Sequence, residues 1–313
     1  MKFVVISISI IACLFFIFLV VSRHLFRHVV CRKHPQPGTK AFENKEYFLK
    51  NTNNPYWIDT IDTEISEIKS FDGLLLKAFF KSGINGSNNT VIFFHGYTGE
   101  ARQLSPIAKY IFEKYGYNIL MPHLRAHGWS EGKYIGFGWF ESLECIQWID
   151  WVKEKTAGEQ SQILLVGTSM GAASVLIAAG SKQIPPQVKA LISDCSFTSA
   201  EEEIKYQMKK KFHFDSPKLL AYLDKITKKK AGYSFSQSSP INAVKNIQIP
   251  VLYVHGQSDN FTPFYMVDEL FNATLCSKEL FVVKDADHGE SYKLDEKGYQ
   301  EKIDKIITSF LIN

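Results

Sequence analysis

Apolar residues fall into three patterns along the chain. From position 3 to 21 they run unbroken, with no charge and only Ser7 and Ser9 as polar members. At about 1.5 Å of rise per residue a helix over this run spans about 28 Å, enough to cross a bilayer. Two strand-like runs follow at 64–70 and 74–81, joined at Phe71-Asp72-Gly73, which predicts a hairpin. Beyond the loop 83–89, short β-branched and aromatic runs alternate with helix-period segments. The predicted strands are 91–94, 117–121, 163–166, 188–193, 251–254 and 280–283, and the helices include 143–155 and 296–311. Such alternation predicts an α/β domain with a mainly parallel sheet covered by helices on both faces.

The rhythm breaks twice. Pro35, Pro37, Gly38 and the Asn51 to Pro55 cluster interrupt any pattern, so three regions are expected: a transmembrane anchor over 1–22, a linker and lead-in over 23–60, and one domain over 61–313. A single-pass anchor is favoured over a cleaved signal, because the apolar run continues into Ser22-Arg23-His24-Leu25 with no small-residue cleavage pattern. The second break, between Asp194 and Pro250, is too long for a plain crossover. It predicts a helical lid insert over about 198–246. Nine lysines lie between 205 and 230, interleaved with Phe212, Phe214, Leu219, Leu220, Tyr222, Leu223 and Ile226. They read as the solvated face of helices, with a lid resting on an anionic membrane surface as the alternative.

Charge adds little. A net charge of +4, scattered along the chain, gives no basis for a nucleic-acid partner, and no zinc-finger, P-loop or dinucleotide fingerprint is present; Gly136-Phe137-Gly138 lacks the third glycine. The five cysteines are odd in number and widely spaced, which suits small buried residues better than a disulfide framework. Arg23, Arg27, Arg32 and Lys33 follow the apolar run, against Lys2 before it, so the positive-inside tendency places the domain on the cytoplasmic side.

The candidate chemistry starts at Gly167-Thr168-Ser169-Met170-Gly171, between the strand over 163–166 and a run of small residues. Glycines on either side let the chain fold back sharply and hold Ser169 in a strained conformation at a helix N-terminus. A serine hydroxyl needs a base, and imidazole suits that role near neutral pH. In strand-Ser-helix sites the acid and then the histidine follow the serine. His213, His255 and His288 follow it here; His288, in a loop just past a strand, is the expected base. Asp259, past the strand 251–254, is the expected orienting acid, with Asp194 as rival, while Asp285 and Asp287 are expected to shape the His288 loop. The N–H groups of Met170 and Tyr97 are the expected oxyanion donors. His95 and His127 are expected to brace loops.

With these motifs the chain resembles the α/β-hydrolase family, in particular its esterase, monoacylglycerol-lipase-like and serine-aminopeptidase-like members. The resemblance covers about 61–313 and rests on HGYTG, RAHGWSEG, GTSMG, HGQSDNFTP and DADHG in that order. It implies the α/β-hydrolase fold, an eight-stranded sheet with a lid insert, and no metal or organic cofactor. His123-Leu124-Arg125-Ala126-His127-Gly128 departs from the acidic residue that many relatives carry before this segment. The function expected is a membrane-anchored serine hydrolase acting on small-molecule or lipid-like esters with an apolar acyl group. A serine peptidase or thioesterase on the same fold, and an inactive fold serving as a binding module, are the alternatives.

Overall fold

The computed structural model describes residues 2–33, 56–156, 158–213 and 216–311. The expected tether around Pro35, Pro37, Gly38 and Asn51 to Pro55 lies outside the described residues, as does Phe214 of the insert.

Eight strands form one sheet: β1 (Glu64–Lys69), β2 (Leu75–Lys81), β3 (Asn89–Phe94), β4 (Asn118–Pro122), β5 (Gln162–Thr168), β6 (Val188–Asp194), β7 (Val251–Gly256) and β8 (Lys278–Val283), in spatial order β1-β2-β4-β3-β5-β6-β7-β8. The hairpin β1–β2 and the β2–β4 pair are antiparallel, and every other pair is parallel. Strand β3 is buried along its whole length because both faces are covered, and its side chains alternate between two cores. Val91 and Phe93 meet α2 (Ser105–Tyr115) and the C-terminal helix Glu296–Phe310 through Ile107, Ile111 and Ile303. Ile92 and Phe94 belong to the opposite core with Trp148 of α3 (Trp139–Lys155) and Val175 of α4 (Met170–Ala179).

Between β6 and β7 the chain leaves the sheet for α5 (Ala200–Phe212) and α6 (Pro217–Ala231). Ser199 and Ser216 cap them, accepting from the N–H groups of Glu202 and Leu219, which satisfies donors the first turn would otherwise leave bare. Each buries an apolar stripe, Ile204 and Met208 on α5 and Leu219, Leu220 and Leu223 on α6, and leaves lysines outward.

The N-terminal helix α1 runs from Lys2 to Val29, and its stretch Ser9–Val29 is long and apolar enough to cross a membrane. The expected break after residue 22 is not there. Ile10, Ile11, Leu14, Phe15 and Phe16 are exposed, but Ser22, Leu25, Phe26 and Val30 are buried against the domain. Phe18 packs on Tyr222 of α6 with ring centroids 5.1 Å apart. Past the helix, the Arg32 guanidinium donates to the carbonyls of Ser130 (2.6 Å) and Gly128 (2.7 Å). A bridge pairs Cys31 with Tyr134. Residues 23–33 are therefore a docked part of the domain, because Leu25, Phe26 and Val30 recur on one helical face and bury there.

Arg125, from the segment that departs from the family pattern, is a structural cation. Its Nε donates to Glu144 Oε1 at 2.8 Å, its two terminal nitrogens reach the Asp72 carboxylate at 3.0 and 3.2 Å, and its guanidinium lies 4.3 Å from the Phe140 ring centre. Burial pushes the Glu144 carboxyl up and Arg125 opposes it, which leaves it at about 8. Removing the cation strands a buried acid, which costs about 3–5 kcal/mol. Arg125→Gln is expected to lower thermal stability on that scale; a loss under about 1 kcal/mol in calorimetry would show the network to be dispensable.

Candidate active site

The site is built at the C-terminal rim of the sheet, starting from the turn between β5 and α4. Ser169 sits there at φ 56° and ψ −118°, a region that costs a non-glycine residue about 1–3 kcal/mol. The flanking glycines explain the spacing: a Cβ at Gly167 would strike the backbone of Gly171, and a Cβ at Gly171 would strike the Phe94 carbonyl of β3. The turn is pinned on the other side by Ser169 N–H donating to the Asp194 carbonyl at 2.8 Å.

His288 reaches this hydroxyl from the loop after β8, its Nε2 lying 2.9 Å from Ser169 Oγ. Its Nδ1 lies 2.8 Å from Asp259 Oδ2, in the loop after β7. A carboxylate only accepts, so Nδ1 carries the proton and Nε2 presents its lone pair to the serine O–H. The second oxygen of Asp259 accepts from the N–H groups of Phe261 and Thr262, each at 2.8 Å. Asp287 ties the two loops together, its Oδ1 accepting from the N–H groups of His288 (2.8 Å) and Asn260 (3.0 Å), while Asp285 supplies a left-handed turn at φ 62°.

The rival acid faces elsewhere: Asp194 Oδ2 accepts from the Tyr299 hydroxyl at 3.1 Å. Burial pushes its carboxyl up to about 7, so it is a weak competitor for negative charge beside Asp259. His213 ends α5 in an exposed left-handed cap. His255 is buried, with Nε2 donating to the Thr262 carbonyl at 2.9 Å and lying 3.4 Å from Asp259 Oδ2. Burial lowers its pKa, which keeps a second cation away from the carboxylate.

The loop after β3 covers the serine. A Cβ at Gly96 would lie 3.3 Å from Ser169 Cβ and 3.8 Å from Oγ, so the loop backbone passes close over the serine. His95 braces the loop by accepting from Leu124 N–H (3.1 Å) and donating to the Gly96 carbonyl (2.9 Å). His127 does the same through Thr98 N–H (3.0 Å) and the Arg125 carbonyl (2.8 Å). Tyr97 follows Gly96, and Met170 is the first residue of α4, where an N–H has no intrahelical acceptor.

Cys195 was missed as a site residue. Its Sγ lies 4.0 Å from His288 Nε2; the sequence signal was its place at the end of β6, next to Asp194. Burial pushes the thiol up to about 11, so it is a neutral neighbour. Burial also pulls the His288 pKa down, but the contacts with Cys195 and Asp259 outweigh it and the net direction is upward. With the thiol neutral, the Asp259 carboxylate is the cause. Among the described residues the group close enough to share a metal ion is Cys195, Asp259 and His288; its imidazole nitrogens and carboxylate are already engaged with each other and with Ser169.

Two cavities meet at Ser169. One of about 620 Å³ is bordered by Tyr97, Leu104, Ile107 and Tyr292. The other, of about 250 Å³, lies between α1 and α5.

Comparison with known proteins agrees with the fold. Residues 89–216 match the family model described as alpha/beta hydrolase fold. The chain is 27% identical over 219 residues to the uncharacterized protein YqkD of Bacillus subtilis (strain 168), spanning 70% of this chain and 71% of that protein. In three dimensions it is similar to the esterase Pf2001 of Pyrococcus furiosus, with a TM-score of 0.65 and 22% identity over 81% of this chain and 94% of that one. It is also similar to Est1E from Butyrivibrio proteoclasticus, solved with ferulic acid, with a TM-score of 0.60 and 19% identity over 78% and 99% of the two chains. The chain has the α/β-hydrolase fold.

The strain at Ser169 is measurable apart from any activity. At ordinary positions in regular structure glycine is about 0.5–1 kcal/mol less stable than alanine. Here Ser169→Gly is expected to exceed Ser169→Ala by about 1 kcal/mol, because only glycine relaxes the backbone. Denaturant melts of the two variants decide it: an alanine variant as stable as the glycine one would remove the strain.

Proposed function

We propose that the protein is a membrane-anchored serine hydrolase that cleaves carboxylic esters with an apolar acyl group. The observation that carries this reading is the relay Ser169 Oγ to His288 Nε2 at 2.9 Å and His288 Nδ1 to Asp259 Oδ2 at 2.8 Å. His288 takes the serine proton as Oγ attacks the ester carbonyl, and Asp259 steadies the imidazolium. The oxyanion is met by the N–H groups of Met170 and Tyr97, each such donor contributing about 3–4 kcal/mol. His288 then returns its proton to the leaving alkoxide. Water, deprotonated by the same imidazole, attacks the acyl-serine and releases the acid. The likeness to Pf2001, an esterase, and the apolar cavity beside Ser169 support an ester over a peptide.

The helix α1 serves as the anchor, with the domain held directly at the bilayer. Arg23, Arg27 and Lys33 lie just past the apolar run, and Lys230 of α6 stands 5.5 Å from the Phe26 ring centre. This cationic collar favours the cytoplasmic face and its anionic lipids.

Ser169→Ala is expected to lower kcat for p-nitrophenyl esters by a factor on the order of 10⁶, and fluorophosphonate is expected to label the parent at Ser169 and leave the variant unlabelled. Retained turnover removes Ser169 as nucleophile, absence of labelling in folded parent points to a binding module, and faster cleavage of aminoacyl amides or acyl thioesters than of esters overturns the ester assignment.

The base works only when neutral, so activity rises as pH climbs through the His288 pKa. That pKa is raised, which places the ascending limb of kcat/KM above the roughly 6.5 of free imidazole. Asp259→Asn is expected to move the limb downward and lower the plateau; a parent limb at or below the free value contradicts this account.

A further inference from the structure

The smaller cavity is not lined by the hydrolase domain alone. His24, Leu25, His28 and Val29 of α1 form one wall, Ile204 and Met208 of α5 line it as well, and Ser169 borders it. We propose that the last two turns of the membrane helix are a specificity wall of the active site, holding the acyl chain of a membrane-resident, single-chain ester between α1 and α5. This rests on the hydrolase reading above and names its substrate class.

Four observations carry it. First, the cavity holds about 250 Å³; at about 30 Å³ per heavy atom, the share of a water molecule in the liquid, that is about eight atoms of chain. Second, its lining is mostly apolar, with Phe137, Phe197 and Phe261 beside the leucine, valine, isoleucine and methionine of the two helices, and with His24, His28, Gln207 and Lys211 as its polar members. The acid in this wall, Glu203, is buried, bonded through Oε1 to Gln207 Nε2 at 3.0 Å, and pushed up to about 7 by burial, so a methylene chain does not face a full charge below that pH. Third, α1 is continuous from its exposed apolar stretch to the wall. Val21 is about 12 Å from Val29 along the axis, so the wall lies within two to three turns of the exposed apolar stretch, past a segment on which Arg23, His24, Arg27 and His28 are exposed. Fourth, the wall is fastened to the loop over the serine. The Tyr97 hydroxyl donates to the carbonyls of Val29 (2.9 Å) and His28 (3.1 Å), groups that a helix end leaves without intrahelical partners. The second cavity, opening toward Leu104 and Tyr292, is left for the alcohol.

The test uses the full chain in detergent micelles and compares the rates at which ethyl, octyl and dodecyl fluorophosphonates inactivate Ser169. The parent is expected to prefer octyl over ethyl. Leu25→Trp and Val29→Trp narrow the wall and are expected to lower the octyl-to-ethyl ratio by about ten-fold, the scale on which apolar pockets sort a few methylenes. Leu25→Ala widens it and shifts the preference toward dodecyl. Because the readout is a ratio within each variant, a general loss of reactivity does not imitate the effect. Ratios equal in the parent and all three variants overturn the wall, whereas a parent Ser169 that reacts with none of the reagents overturns the hydrolase reading and this inference with it.

Discussion

Backbone packed on backbone at the rim of the sheet sets the terms for the rest of the site. The first turn of α4 lies so close to β3 that Gly171 has no room for a Cβ against the Phe94 carbonyl, and Gly167 has none against Gly171. This contact fixes the angle at which α4 leaves β5, and that angle forces Ser169 to φ 56°. The same closeness carries the Gly96 loop over the serine. Nucleophile, helix N-terminus and covering loop are thus set by three glycines before any catalytic side chain is considered.

Around that frame the charges are arranged so that one carboxylate dominates. Asp259 is fully desolvated but has two backbone N–H donors on one oxygen and His288 on the other. Nearby acids lack such donors and burial raises them, Asp194 and Glu203 each to about 7. A buried carboxyl without enough donors takes up a proton sooner than it holds a charge. His288 Nδ1 therefore faces the carboxylate that holds two backbone donors, on the side away from the serine.

Much of this was legible in the residues, and the reason differs from part to part. Strands β3, β5, β6 and β7 are buried runs whose apolar character survives any tertiary context, so their positions followed from pattern alone. Placing His288 and Asp259 rested on chain order and on their sitting just past strands, since parallel strands deliver their C-terminal loops to one rim. Cys195 occupies such a position too, but a cysteine is so often an inert core residue that the position alone did not single it out. The docking of 23–33 was hidden for another reason. Arg23, Arg27, Arg32 and Lys33 look like a solvated linker, yet Arg32 spends its guanidinium on two carbonyls of the 128–130 loop, a partner that only the tertiary fold supplies. Likewise Leu25, Phe26 and Val30 read as part of the linker, because their burial depends on a docking surface that only the folded domain supplies.

That docking has consequences for how the helix and the domain relate. A helix joined through a flexible tether leaves the domain free to turn. A helix whose last turns are buried in the domain instead holds one orientation relative to the site. Leu25, Phe26 and Val30 are each buried to a few per cent exposure or less, and burying a side chain of this size stabilises by about 1.5–3 kcal/mol. With the Arg32 and Tyr97 bonds added, separating α1 from the domain would cost several such terms at once. The helix is therefore a built-in element of the domain.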